Sequence, residues 1–172
     1  MDTALQLSGA AKIARPGVDR AVCERPMALV VDPSAEQRHV AARGLLLAGY
    51  VVHEASDATE ALRVLRTASP DLIVTGVSMD GPCDGIGLCD IVRSQPRLRH
   101  CAVVITTGRT DADRLRRIDE AGAKAALAQP FNPSQLVAAV DGAGRQGEPG
   151  LLALAAGRAS VAGLAASRPR PE

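Results

Sequence analysis

Five times between residues 27 and 130, a short and nearly unbroken apolar run gives way to a longer stretch of helical period. The runs are MALVVD (27–32), YVVHEA (50–55), DLIVTG (71–76), CAVVITTG (101–108) and KAALAQP (124–130). A strand that is apolar along its whole length must be covered on both faces. Such strands, separated by helices, form a parallel sheet, because parallel neighbours require a crossover connection. The predicted fold is therefore α/β, built from five βα units, with helices on both sides of the sheet.

The punctuation between runs agrees with this alternation. Ser34-x-x-Gln37 and Asp57-x-x-Glu60 predict capping boxes for the first two helices, and Gly49 predicts the end of the first. A third helix, GIGLCDIVRS, is predicted to stop near Gln95-Pro96. Thr110-x-x-Asp113 is expected to open the fourth helix and Gly122 to close it. Asn132-Pro133-Ser134-Gln135 sets a cap, an initiating proline and a box partner in order, and the fifth helix is expected to reach about Val140.

Outside this core the chain changes character. Residues 1–25 read as an arm, 26–142 as the folded domain, and 143–172 as a tail rich in Ala, Gly and Arg. Within the tail, Leu151 to Ala166 is expected as a weak helix or as disordered chain.

Composition narrows the function classes. Lys+Arg 20 against Asp+Glu 19 leaves a formal charge of +1, and Tyr50 and Phe131 are the only aromatic residues. Neither a basic footprint nor stacking platforms for nucleic acid are available. Cys23, Cys83, Cys89 and Cys101 match no zinc or C-x-x-C spacing, and His39, His53 and His100 share no motif with them. The dispersed cysteines fit reduced thiols, and no signal-type or membrane-length apolar segment occurs, so a cytoplasmic protein without membrane contact is expected. The bias to Ala, Arg and Gly is associated with high-GC bacterial genomes.

In a doubly wound sheet, chemistry collects beyond the carboxyl ends of the strands. Here those exits are Asp32, Ala55, Gly76, Thr107-Gly108 and Gln129-Pro130. The stretch PDLIVTGVSMDGPCDG (70–85) has the look of a site's rim, yet the residue at its strand exit, Gly76, carries no side chain.

The segments LVVDPSAEQR, GYVVHEASDATEAL, PDLIV, DGIGLCDIVR, VVITTG and AGAKAALAQPFNPSQL resemble the response-regulator receiver domain of two-component signalling over roughly residues 27–141. The resemblance implies a (βα)5 flavodoxin-like sheet of five parallel strands in the order 2-1-3-4-5. It also implies a protein that signals and is not an enzyme. Its partner would be a histidine kinase or another signalling protein, docked on the helix 4–strand 5–helix 5 face, with homodimerisation left open. On helix 4, charged residues from Asp111 to Arg117 read equally well as a solvated face and as that docking surface.

The family's phosphorylation pocket needs an acidic pair for Mg²⁺, an acceptor aspartate, a hydroxyl and a lysine. The matching positions here are Asp32 and Pro33, Gly76, Thr107 and Gln129. Only Asp32 and Thr107 keep the family's residue type, and Ala126 stands where an aromatic switch partner is usual. A group of about −2 charge beside carboxylates requires cations to neutralise it. The expectation is a degenerate receiver that does not accept phosphate, holds no Mg²⁺ or other cofactor, and acts by protein–protein contact. Two alternatives stand beside it. One residue is inserted between Gly76 and Gly85, so Asp80, Asp84 or Thr75 could serve as a displaced acceptor. Glycines 76, 81, 85 and 87 could instead leave room for a nucleotide or other small ligand, although no phosphate-cradling motif is present.

Overall fold

The structure is a computed structural model and describes residues 25–145 and 153–155. Strands β1 (Met27–Val31), β2 (Val51–Ala55), β3 (Leu72–Gly76), β4 (Ala102–Thr107) and β5 (Ala125–Ala128) alternate with helices. The helices are α1 (Ala35–Leu47), α2 (Ala58–Thr67), α3 (Gly85–Ser94), α4 (Ala112–Glu120) and α5 (Pro133–Arg145). All strands are parallel and lie in the expected order β2-β1-β3-β4-β5. A sixth strand, β6 (Ala153–Ala155), adds to the outer edge of β5.

Strand side chains alternate between two cores, as period-2 geometry dictates. Leu29, Val31, Ile73, Val103 and Ile105 pack with Leu65, Leu88, Val92, Leu115 and Ile118 of α2, α3 and α4. Ala28, Val30, Leu72, Val74 and Val104 pack with Leu45 of α1 and Leu136 and Val140 of α5. Both aromatic residues, Tyr50 and Phe131, belong to the second core. Full burial of each such aliphatic side chain contributes about 1.5–3 kcal/mol before the entropy of ordering is set against it.

The helix signals are realised with instructive exceptions. Asn132 and Gln135 form a complete capping box: Gln135 N donates to Asn132 Oδ1 at 2.9 Å and Asn132 N to Gln135 Oε1 at 2.8 Å. At α1 the box is half made. Gln37 N donates to Ser34 Oγ at 3.4 Å, but Gln37 Oε1 is buried and finds no partner among the described residues. At α2, Asp57 caps Glu60 N, while the Glu60 carboxylate reaches back to Ser56. The expected Thr110 cap is incorrect. Asp111 caps α4 by accepting from Arg114 N at 3.1 Å, because its carboxylate is the stronger acceptor one residue nearer the helix. Gly49 (φ 91°) and Gly122 (φ 80°) follow α1 and α4 in the left-handed conformation that glycine adopts without strain.

The tail expectation is corrected at Ala153–Ala155, which form neither helix nor loose chain but a strand. The rest of 1–24, 146–152 and 156–172 lies outside the described residues. No described helix is long and apolar enough to cross a membrane. Cys83 and Cys89 are free thiols, and burial pushes the Cys89 thiol up to about 11, so it stays neutral.

Candidate pocket at the strand exits

Register brings the predicted residues together. Val31 of β1 pairs with Thr75 of β3, Gly76 with Thr106 of β4, and Thr107 with Ala128 of β5. Asp32, Gly76, Thr107 and Gln129 therefore end at one rim of the sheet. The Gln129-Pro130 peptide is cis.

Asp32 occupies the centre of this rim and is only 8% exposed. Its Oδ1 accepts from Ser34 N at 2.8 Å, and its Oδ2 lies 3.4 Å from Gln129 Nε2. The same Gln129 nitrogen donates to Thr106 Oγ1 at 3.0 Å. Burial pushes the Asp32 carboxyl above its ordinary range, against the opposing pull of the Ser34 and Gln129 hydrogen bonds and the Arg38 charge. Arg38 clamps the β1 exit: its guanidinium donates to the carbonyls of Asp32 at 2.7 Å and Pro33 at 3.2 Å, and pairs with Glu54 at 3.5 Å.

Gly76 is hemmed in. A Cβ built on it would meet Asp32 Oδ2 at 2.5 Å. The Asp32 carboxylate thus fills the space into which a side chain at position 76 would project. Two other glycines of this loop, Gly85 and Gly87, are also closely packed. A Cβ on Gly85 would fall 2.0 Å from the Gly76 carbonyl oxygen, and one on Gly87 would fall 3.0 Å from Cys83 Cβ. Gly81 has φ 118° and abuts Ala58 and Thr59. At Gly76 and Gly85 the space beside the backbone is taken by protein atoms, whereas at Gly81 a Cβ would make only ordinary contacts.

Thr107 Oγ donates to the Arg109 carbonyl at 2.8 Å and accepts from Arg109 N at 3.1 Å, so its hydroxyl is engaged within its own loop. Thr75 is fully buried, its hydroxyl 3.1 Å from the Gly76 carbonyl oxygen and 3.5 Å from Met79 Sδ. Asp84 caps α3 through Gly87 N at 2.8 Å. Asp80 and Asp84, with Pro33, Ser78, Met79 and Arg114, line an open hollow of ≈ 320 Å³ beside the rim. Among the described residues, no group of three or more His, Cys, Asp or Glu side chains could hold a metal ion.

Thr106 is not singled out from sequence, Ser34 is expected there only as a helix cap, and Arg38 enters only as part of the LVVDPSAEQR segment, with no sign of its carbonyl clamp. Thr106 is one of two adjacent threonines at the end of β4, and only the register with Gly76 and the reach of Gln129 distinguish it from Thr107.

Five parallel strands in the order 2-1-3-4-5, with an aspartate after β1 and a hydroxyl at the end of β4, place the chain among the flavodoxin-like α/β domains that include receivers. The sequence matches the Response regulator receiver domain family over residues 28–141, and the chain belongs to that family. It is 34% identical over 115 residues to the "Transcriptional regulatory protein PrrA" of Mycobacterium leprae, which covers 67% of this chain and 48% of that protein. It is 31% identical over 109 residues to the "Chemotaxis protein CheY" of Pseudomonas aeruginosa, covering 63% of this chain and 87% of that one. Among solved structures, CheY4 of Vibrio cholerae superposes with a TM-score of 0.65 at 28% identity, over 70% of this chain and 99% of CheY4. The chain spans less than half the length of the transcriptional regulators it matches, such as PrrA. Receiver domains belong to two-component signalling, where they interact with histidine kinases and other signalling proteins and are generally signalling modules rather than enzymes.

Proposed function

We propose that this chain is a receiver that signals without aspartyl phosphorylation, through contacts with a protein partner. One relationship carries the reading: the Asp32 carboxylate stands where an acceptor side chain on Gly76 would project. A pocket poised for phosphoryl transfer needs an acceptor and cations around it. Here the acceptor is absent, and Asp32 is hydrogen-bonded by the neutral groups Ser34 N and Gln129 Nε2. Unit charges about 4 Å apart interact by about 1 kcal/mol in water and several-fold more in a partly buried cleft, so an uncharged Gln129 is a poor substitute for a lysine.

The same reading extends to Mg²⁺. That ion takes near-octahedral oxygen coordination. Around the rim, one carboxylate is already bonded by N–H donors, and Pro33 brings no side-chain oxygen. The residues do not fit the ion.

The partner, a kinase or another signalling protein, would meet the face of α4, β5 and α5 on its α4 side, since β6 covers the outer edge of β5. Exposed Arg116 and Arg117 of α4 offer charge there, Arg116 being shared among Asp113 at 3.4 Å and Glu120 at 3.8 Å. Exposed pairs of this kind contribute only a few tenths of a kcal/mol each to stability, which leaves the arginines free to exchange partners.

Incubation with Mg²⁺ and a small acyl-phosphate donor, followed by intact mass measurement, tests the reading. The expected result is an unmodified chain. A stoichiometric phosphate adduct overturns it, and its disappearance in Asp80→Ala would transfer the acceptor role to the carboxylate in the hollow.

A further inference from the structure

The two edges of the sheet are treated differently. On one side β2 exposes Val51, His53 and Glu54, so its open edge carries a charged side chain and a histidine. On the other side β5 reads Ala-Ala-Leu-Ala, with Ala125, Ala126 and Leu127 all fully buried. Between Lys124 and Gln129, bare β5 would offer the backbone N–H and C=O groups of four small or apolar residues with no charge among them. Such an edge is a template for pairing with a second chain. It is this edge that β6 covers, with Ala125 opposite Ala153, Ala126 opposite Leu154 and Leu127 opposite Ala155. The connection runs through α5, the helix that also packs over β5, so the chain delivers the strand in parallel by a further βα crossover.

We propose that residues 153–155 are an internal strand cap whose task is to keep the β5 edge from pairing with a second copy of this chain. Three residues make few ladder bonds, so the cap also depends on its packing against α5 and on its tether, which gives it a high effective concentration at the edge. A cap of this kind can be displaced. When it leaves, the edge becomes available to another copy. The inference concerns the sheet edge alone and stands or falls independently of the chemistry at Asp32 and Gly76.

The test uses the full-length chain with Ala153→Pro and Leu154→Pro together. Adjacent residues of a strand direct their N–H groups to opposite edges, so one of the two prolines removes a ladder donor whichever of them faces β5. A second full-length variant, Ala153→Gly, Leu154→Ser and Ala155→Gly, lowers strand propensity without proline. Light scattering across a range of protein concentrations and hydrogen exchange at residues 125–128 are measured for all three chains. The expected result is a monomeric native chain with protected β5 amides. Both variants should show faster exchange at low concentration, with self-association and recovered protection at high concentration. Variants that stay monomeric at every concentration overturn the proposal, as does a native chain that associates as strongly as they do. Loss of helix content by circular dichroism in both variants also overturns it, since β6 would then be a structural strand and not a displaceable cap.

Discussion

Asp32 and Gly76 share one space: a Cβ on Gly76 would lie 2.5 Å from Asp32 Oδ2 and 3.3 Å from its Cγ. Real Cβ atoms essentially never come so close, so Gly76→Ala is expected to turn the carboxylate and strain the bond that its Oδ1 accepts from Ser34 N at 2.8 Å. The loss of a hydrogen bond to a buried charged group predicts destabilisation of about 1–3 kcal/mol, measured by urea unfolding. Asp32→Ala removes the clashing atoms. The double variant should therefore be markedly less unstable than the sum of the singles, and an additive cycle would show that the two positions do not compete for space.

If the chain signals without aspartyl phosphorylation, as proposed, a phosphate adduct should require Gly76→Asp, Pro33→Asp and Gln129→Lys together. Gly76→Asp alone sets a second carboxylate against Asp32 with no cation beside it, and it is expected to stay unmodified by an acyl-phosphate donor with Mg²⁺. Adding Pro33→Asp and Gln129→Lys supplies a metal ligand and a positive charge, and the triple variant is expected to gain a phosphate adduct by mass.

Asp32 also predicts an unusual pH response. Its carboxyl is raised above 3.8, chiefly by burial. The folded state therefore takes up the proton more readily than the unfolded state. Stability tied to protonated Asp32 is present below 3.8 and is lost as pH rises through the folded value. Asp32→Asn does not titrate. Its Tm relative to the native chain should therefore climb as pH increases through that window and then level off. A difference constant with pH would contradict the prediction. Glu60, lowered by its hydrogen bonds from Ser56, acts in the opposite sense: the stability it adds is present above 4.5 and fades as pH falls.

Gly85 is held against backbone. The Gly76 carbonyl oxygen would stand 2.0 Å from an added Cβ, and a backbone atom cannot rotate away. Gly85→Ala is expected to cost about 3 kcal/mol or more, at the upper end of overpacking effects. Gly87→Ala, whose new atom would meet Cys83 Cβ at 3.0 Å, should cost clearly less in the same denaturant series.

The two unequal capping boxes make a paired prediction. Asn132→Ala breaks a bond that Gln135 N makes at 2.9 Å and should destabilise by about 1 kcal/mol. Gln37→Ala removes a buried amide oxygen that has no partner among the described residues, so thermal unfolding should change by less than about 0.5 kcal/mol or improve.

Much of the fold was legible along the chain because its causes are local. Apolar runs such as LVV at 29–31 and LIV at 72–74 name strands covered on both faces, and Asn132 and Gln135 meet across a single helical turn. The cap of α4 was misplaced by one residue because Thr110 and Asp111 are both competent caps, and the choice between them depends on where the loop after Thr107 turns. The resemblance assigned Asp32, Pro33, Gly76, Thr107 and Gln129 to the family's pocket positions, and parallel register carries Asp32, Gly76, Thr107 and Gln129 to one rim of the sheet.

What those positions do to one another depends on contacts between residues far apart in the chain. Asp32 and Gly76 are 44 positions apart, and Gln129 reaches Asp32 across 97. No periodicity encodes such a contact, because it depends on parallel register and on side chains converging from three strands. Sequence could report that an acid, a proline, a glycine and an amide stand where a reaction is usual. Packing alone reveals that the Asp32 carboxylate occupies the space a side chain at Gly76 would enter, and that Ala153–Ala155 lie against the outer edge of β5. Chemical type is a property of one residue, whereas occupied volume and a covered edge belong to neighbours brought together by the fold.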